Sequence, residues 1–375
     1  MIKQFQIEKN IQTDKTLKRL KLNLNFVAEN RKLKNANKKL ENTILLSSKN
    51  RLLKSLIFYG QNEVGKSQIY QDLKNFRDFI INGTLKTDFF NANLRFFIKI
   101  DNEIIESEIN IHFQNGKILK EELFIFNQNR KTKIYSRKEH IFYFNQKFSS
   151  ENLRHFSKFI NSDELFISKV AQNHFFESYE KLNIYFTVYN FIKNDFLFDN
   201  SENLDKNIFI ENYDLFLEFI KLANLNTNQF ENPYEFYEDL QNASSGTKEF
   251  VLTLAKILQC QNSRKILFLD NFAKNLHPIL AKFLVKIMHS AKNLQVLMTS
   301  NCTSILDTKL FRIDQINFLD FDDYGSFLNK RIFDFKDFRE NMNAEKCYLQ
   351  GRFSATPFII VSENTIGKLL ERVRG

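Results

Sequence analysis

The sequence predicts an α/β fold, and three observations support this class. A glycine-rich motif lies between an apolar strand and an amphipathic helix, later segments alternate apolar and polar residues, and a distant apolar strand ends in a carboxylate. Strands buried on both faces show as continuous apolar runs, whereas strands exposed on one face alternate. We therefore expect a sheet that is extended by antiparallel N-terminal strands and that carries an inserted lid made of a β-meander and helices.

The glycine-rich motif occupies residues 60–67 and has the G-x-x-x-x-G-K-[ST] spacing of a nucleotide phosphate loop. In such a loop backbone N–H groups surround the α- and β-phosphates. Lys66 reaches the β- and γ-phosphates, and the Ser67 hydroxyl ligates Mg²⁺ at the positive end of the helix dipole. The run 56–59 predicts the strand before the loop, and the helical face after it comprises Ile69, Leu73, Phe76 and Ile80. The predicted nucleotide-binding residues are Gly60, Gln61, Asn62, Glu63, Val64, Gly65, Lys66, Ser67 and Gln68.

Composition narrows the class of protein. With 375 residues, one large domain or two are expected. The three cysteines, Cys260, Cys302 and Cys347, are far apart and lack C-x-x-C or histidine neighbours, so they support neither a disulfide framework nor a zinc site. The sequence has neither a secretory leader nor an apolar run long enough to span a bilayer. We therefore expect a soluble cytoplasmic protein.

Charge is concentrated at the start of the chain. Residues 1–54 contain fourteen basic and four acidic side chains, which accounts for the whole net charge of +10. The densest part, residues 31–39, could follow a nucleic-acid backbone, because each neutralised phosphate adds salt-dependent affinity. A solvated loop between strands explains the same cluster.

The organisation along the chain follows the spacing of apolar residues. Alternation predicts strands around residues 2–7 and 20–26, a further strand at 44–46, and an antiparallel meander over 94–113 that ends in an Asn115-Gly116 turn. Helical spacing takes over from about residue 150 to 242, for example at Phe166, Val170, His174 and Phe175. These changes divide the chain into residues 1–83, with the phosphate loop, an inserted segment at 84–242, and residues 243–375.

The second half of the predicted site follows the inserted segment. Residues 265–269 are a buried strand that ends at Asp270, the position from which nucleotide-binding proteins hold Mg²⁺ from its second side. A helix with Ile279, Leu280, Phe283, Leu284 and Ile287 on one face follows, and then an apolar strand at 296–298. Asp270 and Ser67 are therefore the predicted magnesium ligands.

A serine-rich turn precedes that strand. Ser244, Ser245 and Gly246 open a helix, and such a turn at a helix N-terminus can bind an anion. An ordinary serine N-cap explains the same residues. The order of phosphate loop, insertion, serine-rich turn and magnesium carboxylate is nevertheless that of ABC-type ATPase heads.

The chain resembles ABC-type ATPases of the overcoming-lysogenisation-defect and abortive-infection group, relatives of the RecF and SMC heads. The resemblance is carried by S-S-G-T-K at 244–248, L-H-P at 276–278, T-S-N to I-L-D at 299–307, D-Q-I at 314–316, and Y-L-Q-G-R-F-S-A-T-P at 348–357. It implies ATP and Mg²⁺ as cofactors and a homodimer in which Ser244 and Gly246 cap the γ-phosphate bound by the partner. It also implies an effector protein, a nuclease or toxin, acting in phage defence.

The chain departs from the family pattern at two positions. The glutamate that deprotonates the attacking water is Asn271 here, and the histidine that contacts the γ-phosphate is Asn301. Asparagine can position a water but cannot take its proton, and losing a general base costs about 10²- to 10⁴-fold in rate. With Lys66 and Asp270, these residues form the predicted catalytic set. Another carboxylate or a phosphate-assisted attack could still sustain turnover.

Three functions therefore stay open. The first is an ATPase whose hydrolysis drives or gates a partner. The second is an ATP-sensing scaffold with impaired hydrolysis. The third is a DNA-repair head of the RecF type that uses the basic residues 1–54.

Overall fold

The structure is a computed structural model. It describes residues 1–13, 16–29, 41–47, 50–84, 89–101, 103–127, 130–199, 204–261, 265–321, 327–339 and 341–357, with residues 366 and 370. The basic cluster at residues 31–39 lies outside the described residues.

The strands follow the chain in this order: β1 Ile2–Thr13, β2 Thr16–Asn25, β3 Thr43–Ser47, β4 Asn50–Leu53, β5 Ser55–Gly60, β6 Phe89–Ile100, β7 Glu103–Gln114, β8 Lys117–Asn127, β9 Arg130–Lys138, β10 Ile141–Phe144, β11 Phe196–Phe198, β12 Ile266–Leu269, β13 Gln295–Thr299, β14 Ile316–Phe321 and β15 Phe327–Arg331. The helices are α1 Lys66–Asn82, α2 Glu151–Phe156, α3 Phe166–Ala171, α4 Asn183–Asp195, α5 Asn207–Glu211, α6 Tyr213–Leu222, α7 Phe236–Asn242, α8 Ser245–Gln261, α9 Pro278–Ser290 and α10 Ala344–Leu349.

Within the described residues, two large sheets organise the chain. A seven-stranded sheet has the order β10-β9-β8-β7-β6-β1-β2, and each neighbouring pair in it is antiparallel. A six-stranded sheet has the order β11-β12-β13-β5-β14-β15; its strands run parallel except β15, which is antiparallel to β14. The predicted α/β fold class is confirmed.

The core divides at the six-stranded sheet, because successive side chains of a strand point to opposite faces. Leu56 and Phe58 of β5 join a cluster with the inner face of the seven-stranded sheet and helices α1, α3 and α4. Ile57 and Tyr59 join a second cluster with α8 and α9. The phosphate-loop strand is therefore buried on both faces, as its unbroken apolar run indicates.

Two apolar side chains lie elsewhere than the helical spacing predicts. Helix α3 ends at Ala171, so the predicted stripe stops at Val170, and Phe175 lies in a short 3₁₀ turn where it is 57% exposed. Ile279 is 69% exposed in the first turn of α9, whereas Leu284 further along that helix is buried. Phe175 lies beyond the helix, in a turn where its ring contacts those of Phe176 and Tyr179, and Ile279 lies at the start of its helix with most of its surface exposed.

A fully buried polar cluster joins the meander to the helices of the inserted segment. The Glu121 carboxylate on β8 accepts the N–H groups of Phe166 and Ile167 at 2.9 and 3.0 Å, and the Tyr135 hydroxyl at 2.7 Å. Arg137 donates to the carbonyls of Glu139, Asn161 and Glu164 at 2.7, 2.7 and 2.6 Å. Burial raises the pKa of Glu121 against the opposing effect of these hydrogen bonds.

Candidate functional site

The predicted site residues lie where the parallel strands of the six-stranded sheet end. β5 ends at Gly60, β12 ends one residue before Asp270, and β13 ends at Thr299. These three strands pair in parallel, β12 with β13 and β13 with β5, so their carboxyl ends meet at one edge. Ligands of open α/β sheets bind at this edge.

The phosphate loop depends on close packing at its first glycine. A Cβ atom at Gly60 would lie 2.7 Å from Val64 Cγ1 and 2.8 Å from the Leu319 carbonyl oxygen on β14. Later in the loop, Glu63 and Gly65 adopt φ values of 66° and 99°, in the left-handed region, and α1 begins at the next residue. The loop therefore turns sharply and presents the N-terminus of α1 at the sheet edge, the arrangement that favours anions.

The Lys66 side chain lies inside the loop. Its ammonium donates to the carbonyls of Gly60 and Gln61, both at 2.7 Å, and the residue is 6% exposed. Burial lowers the pKa of Lys66, and the charge of Asp270 opposes that shift. The structure thus places the ammonium and the Asp270 carboxylate within electrostatic reach of each other.

The two residues after Lys66 have different surroundings. Ser67 is exposed at the first turn of α1. The Gln68 amide donates to the Asp72 carboxylate at 2.8 Å, one turn further along the same helix. Asn62 and Glu63, at the tip of the loop, are exposed as well.

Asp270 is held by the neighbouring strand. The Thr299 hydroxyl donates to Asp270 Oδ1 at 2.5 Å and accepts the N–H of Asn271 at 2.9 Å. Thr299 is fully buried, so this bridge is fixed by the packing of β13. The sequence analysis placed Thr299 in the T-S-N motif but gave it no role, although its place directly after the apolar strand at 296–298 is a usable signal.

The two asparagines that depart from the family pattern flank this bridge. Asn271 follows Asp270 directly and has a φ of 52°, a conformation that asparagine tolerates better than most residues. Asn301 is exposed, two residues after Thr299. Both lie at the sheet edge close in sequence to the residues that contact Asp270.

The serine-rich turn caps its own helix. Ser244 Oγ accepts the N–H of Thr247 at 3.2 Å and lies 2.9 Å from Thr247 Oγ1. A Cβ at Gly246 would lie 3.1 Å from the carbonyl oxygen of Asn275, in the segment that follows Asp270. Within one chain the turn therefore acts as an N-cap, and the segment after Asp270 packs closely against it.

The pattern at residues 348–357 contacts the phosphate loop. Gln61 Nε2 donates to the Thr356 carbonyl at 3.1 Å, and Thr356 Oγ1 donates to the Tyr348 carbonyl at 2.6 Å. The Tyr348 ring lies 6.0 Å from that of Tyr59 at the end of β5. Residues 348–356 thus brace the loop from the side of β14.

One carboxylate next to Asp270 was missed by the sequence analysis. Asp199 follows β11, which pairs in parallel with β12, and Asp199 Oδ2 accepts the Asp270 N–H at 2.9 Å. The signal was present in the sequence, because Phe196-Leu197-Phe198-Asp199 repeats the apolar-strand-then-aspartate pattern of residues 267–270.

Other motifs have structural partners. His277 Nδ1 accepts the Ile279 N–H at 3.3 Å as the N-cap of α9. Asp314 pairs with Arg312 at 2.7 Å, and Gln315 donates to Ser55 Oγ at 2.7 Å, beneath the start of β5. In the described ranges no group of three His, Cys, Asp or Glu side chains could hold a metal ion.

A family model matches residues 55–300, from the start of β5 to the end of β13. Its description is "AAA domain, putative AbiEii toxin, Type IV TA system". The chain belongs to this AAA domain family. Membership supports an ATP-binding fold of the ABC and AAA type and agrees with the resemblance found in the sequence.

Solved structures with a similar chain path belong to ATPase heads and cassettes. The SmcHead bound to the C-winged helix domain of ScpA is 11% identical, with a TM-score of 0.39, covering 88% of this chain and 97% of that chain. A nucleotide-free ATP-binding cassette from an ABC transporter is 13% identical, with a TM-score of 0.34 and coverages of 88% and 92%. The ADP conformation of the cassette MJ1267 is 12% identical, with a TM-score of 0.35 and coverages of 92% and 94%. No curated protein matches the chain.

For a member of this AAA domain family, the residues present suit a magnesium nucleotide. Mg²⁺ prefers oxygen ligands and is usually held by one or two carboxylates together with substrate phosphates. The Asp270 carboxylate and the Ser67 hydroxyl provide such oxygens. The absence of a Cβ at Gly60 lets the loop pack closely against Leu319 of β14. Among the described residues no helix has the length and apolar character needed to cross a bilayer.

Proposed function

We propose that this chain binds ATP with Mg²⁺ at residues 60–68 and Asp270. The observation that carries the proposal is the Lys66 ammonium, which is buried within a glycine-bounded loop and bonded to two of its carbonyls. A buried cation is costly unless an anion compensates it. The triphosphate of ATP would supply that anion. Mg²⁺ would neutralise part of the remaining phosphate charge.

Each residue has a separate task in this proposal. Lys66 exchanges the carbonyls of Gly60 and Gln61 for phosphate oxygens. Ser67 and Asp270 supply oxygen ligands to the metal, and Thr299 keeps the Asp270 carboxylate in one orientation. The backbone N–H groups of the loop and of the first turn of α1 bind the phosphates.

Calorimetry with Mg-ATP tests the binding step. We expect binding heat for the native chain, and loss of at least about tenfold in affinity for Lys66→Ala, since one buried charged contact contributes more than about 1.4 kcal/mol. Lys74→Ala is the matched control, because it removes a half-buried lysine two turns further along the same helix. Equal heats for the native chain and Lys66→Ala would exclude the site.

We further propose that ATP closes two copies head to head, with Ser244 and Gly246 of each copy facing the nucleotide of the other. The N-terminus of the 17-residue helix α8 supports this, because Ser244 Oγ accepts the Thr247 N–H, while the N–H groups of Ser245 and Gly246 lie at the very start of the helix. Sedimentation with Mg-ATP tests it: a dimer is expected for the native chain and a monomer for Gly246→Trp. A nucleotide-independent monomer contradicts it.

Closure would then gate an effector, a nuclease or toxin in phage defence. The family description, which mentions a putative toxin and a toxin–antitoxin system, supports this step. Co-purification of a stable second protein with the native chain, and its loss with Lys66→Ala, is the expected result.

A scaffold with impaired hydrolysis is the second candidate, and Asn271 and Asn301 favour it. Neither amide can accept a proton from water. Measuring phosphate release distinguishes the scaffold from the ATPase. A scaffold releases no more phosphate than the Lys66→Ala variant, and Asn271→Glu should create a turnover that the native chain lacks. Appreciable native turnover that disappears with Lys66→Ala contradicts the scaffold and supports the ATPase.

A RecF-type DNA-repair head is the third candidate, through the basic residues 1–54. It predicts DNA binding that weakens with salt and with neutralisation of Lys32, Lys34, Lys38 and Lys39. Binding that survives this neutralisation contradicts the surface.

A further inference from the structure

Asp199 directly follows β11, as Asp270 directly follows the neighbouring strand β12. The two strands pair in parallel with Phe198 opposite Phe268, so both aspartates emerge at one edge of the sheet. Both also line one cavity of about 360 Å³ beside α8. Within the inserted segment, β11 therefore leads to a carboxylate that lies beside the proposed magnesium ligand.

Asp199 contacts three elements of the site. Its Oδ2 accepts the Asp270 N–H at 2.9 Å, and its backbone carbonyl accepts the Lys256 ammonium of α8 at 2.7 Å. Burial raises the pKa of the Tyr70 hydroxyl, and a hydrogen bond between that hydroxyl and the Asp199 side chain raises it further. Tyr70 lies one turn after Ser67 on α1, so Asp199 connects the phosphate-loop helix to the backbone of Asp270.

Two contacts together determine where the Asp270 carboxylate lies. Thr299 holds the side chain through Oδ1, and Asp199 holds the backbone through the N–H. A ligand held at both ends needs no reorganisation when the metal arrives. Losing such an outer contact typically lowers metal affinity by about 10- to 100-fold.

We propose that Asp199 is a positioning residue for Asp270, joining the magnesium carboxylate to the phosphate-loop helix through Tyr70. The inference depends on the proposed function, because it assumes that Mg-ATP binds at this edge. Since α4 runs directly into β11, a displacement of the inserted segment reaches Asp270 by way of Asp199.

Mn²⁺ binding to the ATP-loaded protein, followed by electron paramagnetic resonance, provides the test. Asp199→Ala removes the acceptor, and we expect Mn²⁺ affinity to fall by about 10-fold or more. Asp199→Asn keeps an oxygen that accepts the Asp270 N–H, and affinity should stay within about threefold of the native value. ATP affinity should be the same for both variants when a chelator removes divalent metal, because the phosphate loop is unchanged.

Glu249→Gln is the matched control. Glu249 lines the same cavity, but its carboxylate accepts the Asn275 N–H and not that of Asp270. Removing the charge of Glu249 should leave the Mn²⁺ affinity unchanged. Should Asp199→Ala fail to fold, Tyr70→Phe takes its place, with an expected severalfold loss of Mn²⁺ affinity.

Three results would overturn the inference. If the Asp199→Ala variant binds Mn²⁺ as tightly as the native chain, Asp199 only accepts a hydrogen bond at the end of its strand and does not position Asp270. Equal losses in Asp199→Ala and Asp199→Asn assign the effect to charge and not to positioning. A native chain that binds no ATP refutes the proposed function itself, which the chelator measurement detects separately.

Discussion

Gly60→Ala is the substitution that most directly tests the phosphate loop. The added Cβ would lie 2.8 Å from the carbonyl oxygen of Leu319 and 2.7 Å from Val64 Cγ1. An ordinary contact begins at 3.4 Å, so the strand and the loop must each give way by at least about 0.6 Å. Gly60 and Leu319 are paired partners in adjacent parallel strands, so the oxygen cannot move without disturbing β14.

The expected cost is about 1–3 kcal/mol in the free energy of unfolding, the usual range for overpacking a tight core. ATP affinity should fall by at least about tenfold, or about 1.4 kcal/mol, because the displaced loop no longer presents its N–H groups together. Urea denaturation measures the first quantity and calorimetry with Mg-ATP the second.

Gly116→Ala is the control for this experiment. Gly116 has a φ of +73° in the β7–β8 turn, and a Cβ there meets nothing within 4 Å. The Gly116→Ala substitution should lower the free energy of unfolding by about 1 kcal/mol through backbone strain and leave ATP affinity unchanged. If Gly60→Ala behaved like Gly116→Ala in both assays, the close approach of β14 to the loop would have no role.

Three further predictions concern the rest of the molecule. Burial raises the pKa of Glu121 above its usual value of 4.5, so between 4.5 and the raised pKa the folded chain binds more protons than the unfolded chain. Stability should therefore fall as pH rises through that window and level off above it; Glu121→Gln should flatten this slope in denaturation at several pH values, and an unchanged slope contradicts the prediction. Arg137→Met should cost about 3 kcal/mol, since three partly buried carbonyls lose their fully buried donor; a loss below about 1 kcal/mol in urea contradicts this. Gln61→Ala should abolish any change in hydrogen exchange that Mg-ATP causes over residues 344–356, because it removes the contact with Thr356. Asn62→Ala, at an exposed neighbouring residue, should not abolish it. A change that persists in Gln61→Ala excludes coupling through the Gln61–Thr356 contact.

The phosphate loop and Asp270 could be predicted because the signal for each is local. A loop of fixed length between a strand and a helix specifies its own backbone, and an apolar strand that ends in an aspartate places that carboxylate at a sheet edge. The paired antiparallel strands followed from alternation for the same reason, since one exposed face imposes a period of two.

The exposed Ile279 and Phe175 show where such reasoning stops. Both continue an apolar spacing, yet each lies where no neighbouring element covers it. Spacing predicts which residues share a face of a helix. It does not predict how far along the helix that face is covered.

The sequence by itself predicted the glycine-rich loop between a strand and a helix, the α/β class, and the two asparagines at the positions of the family's glutamate and histidine. Only the tertiary structure decided that Asp199 contacts Asp270 and Tyr70, and that Thr356 contacts Gln61. Residues 196–199 and 267–270 have the same pattern, and nothing within either segment says that they are neighbours. Strand order decides that, and strand order results from how the whole chain buries its apolar faces at once.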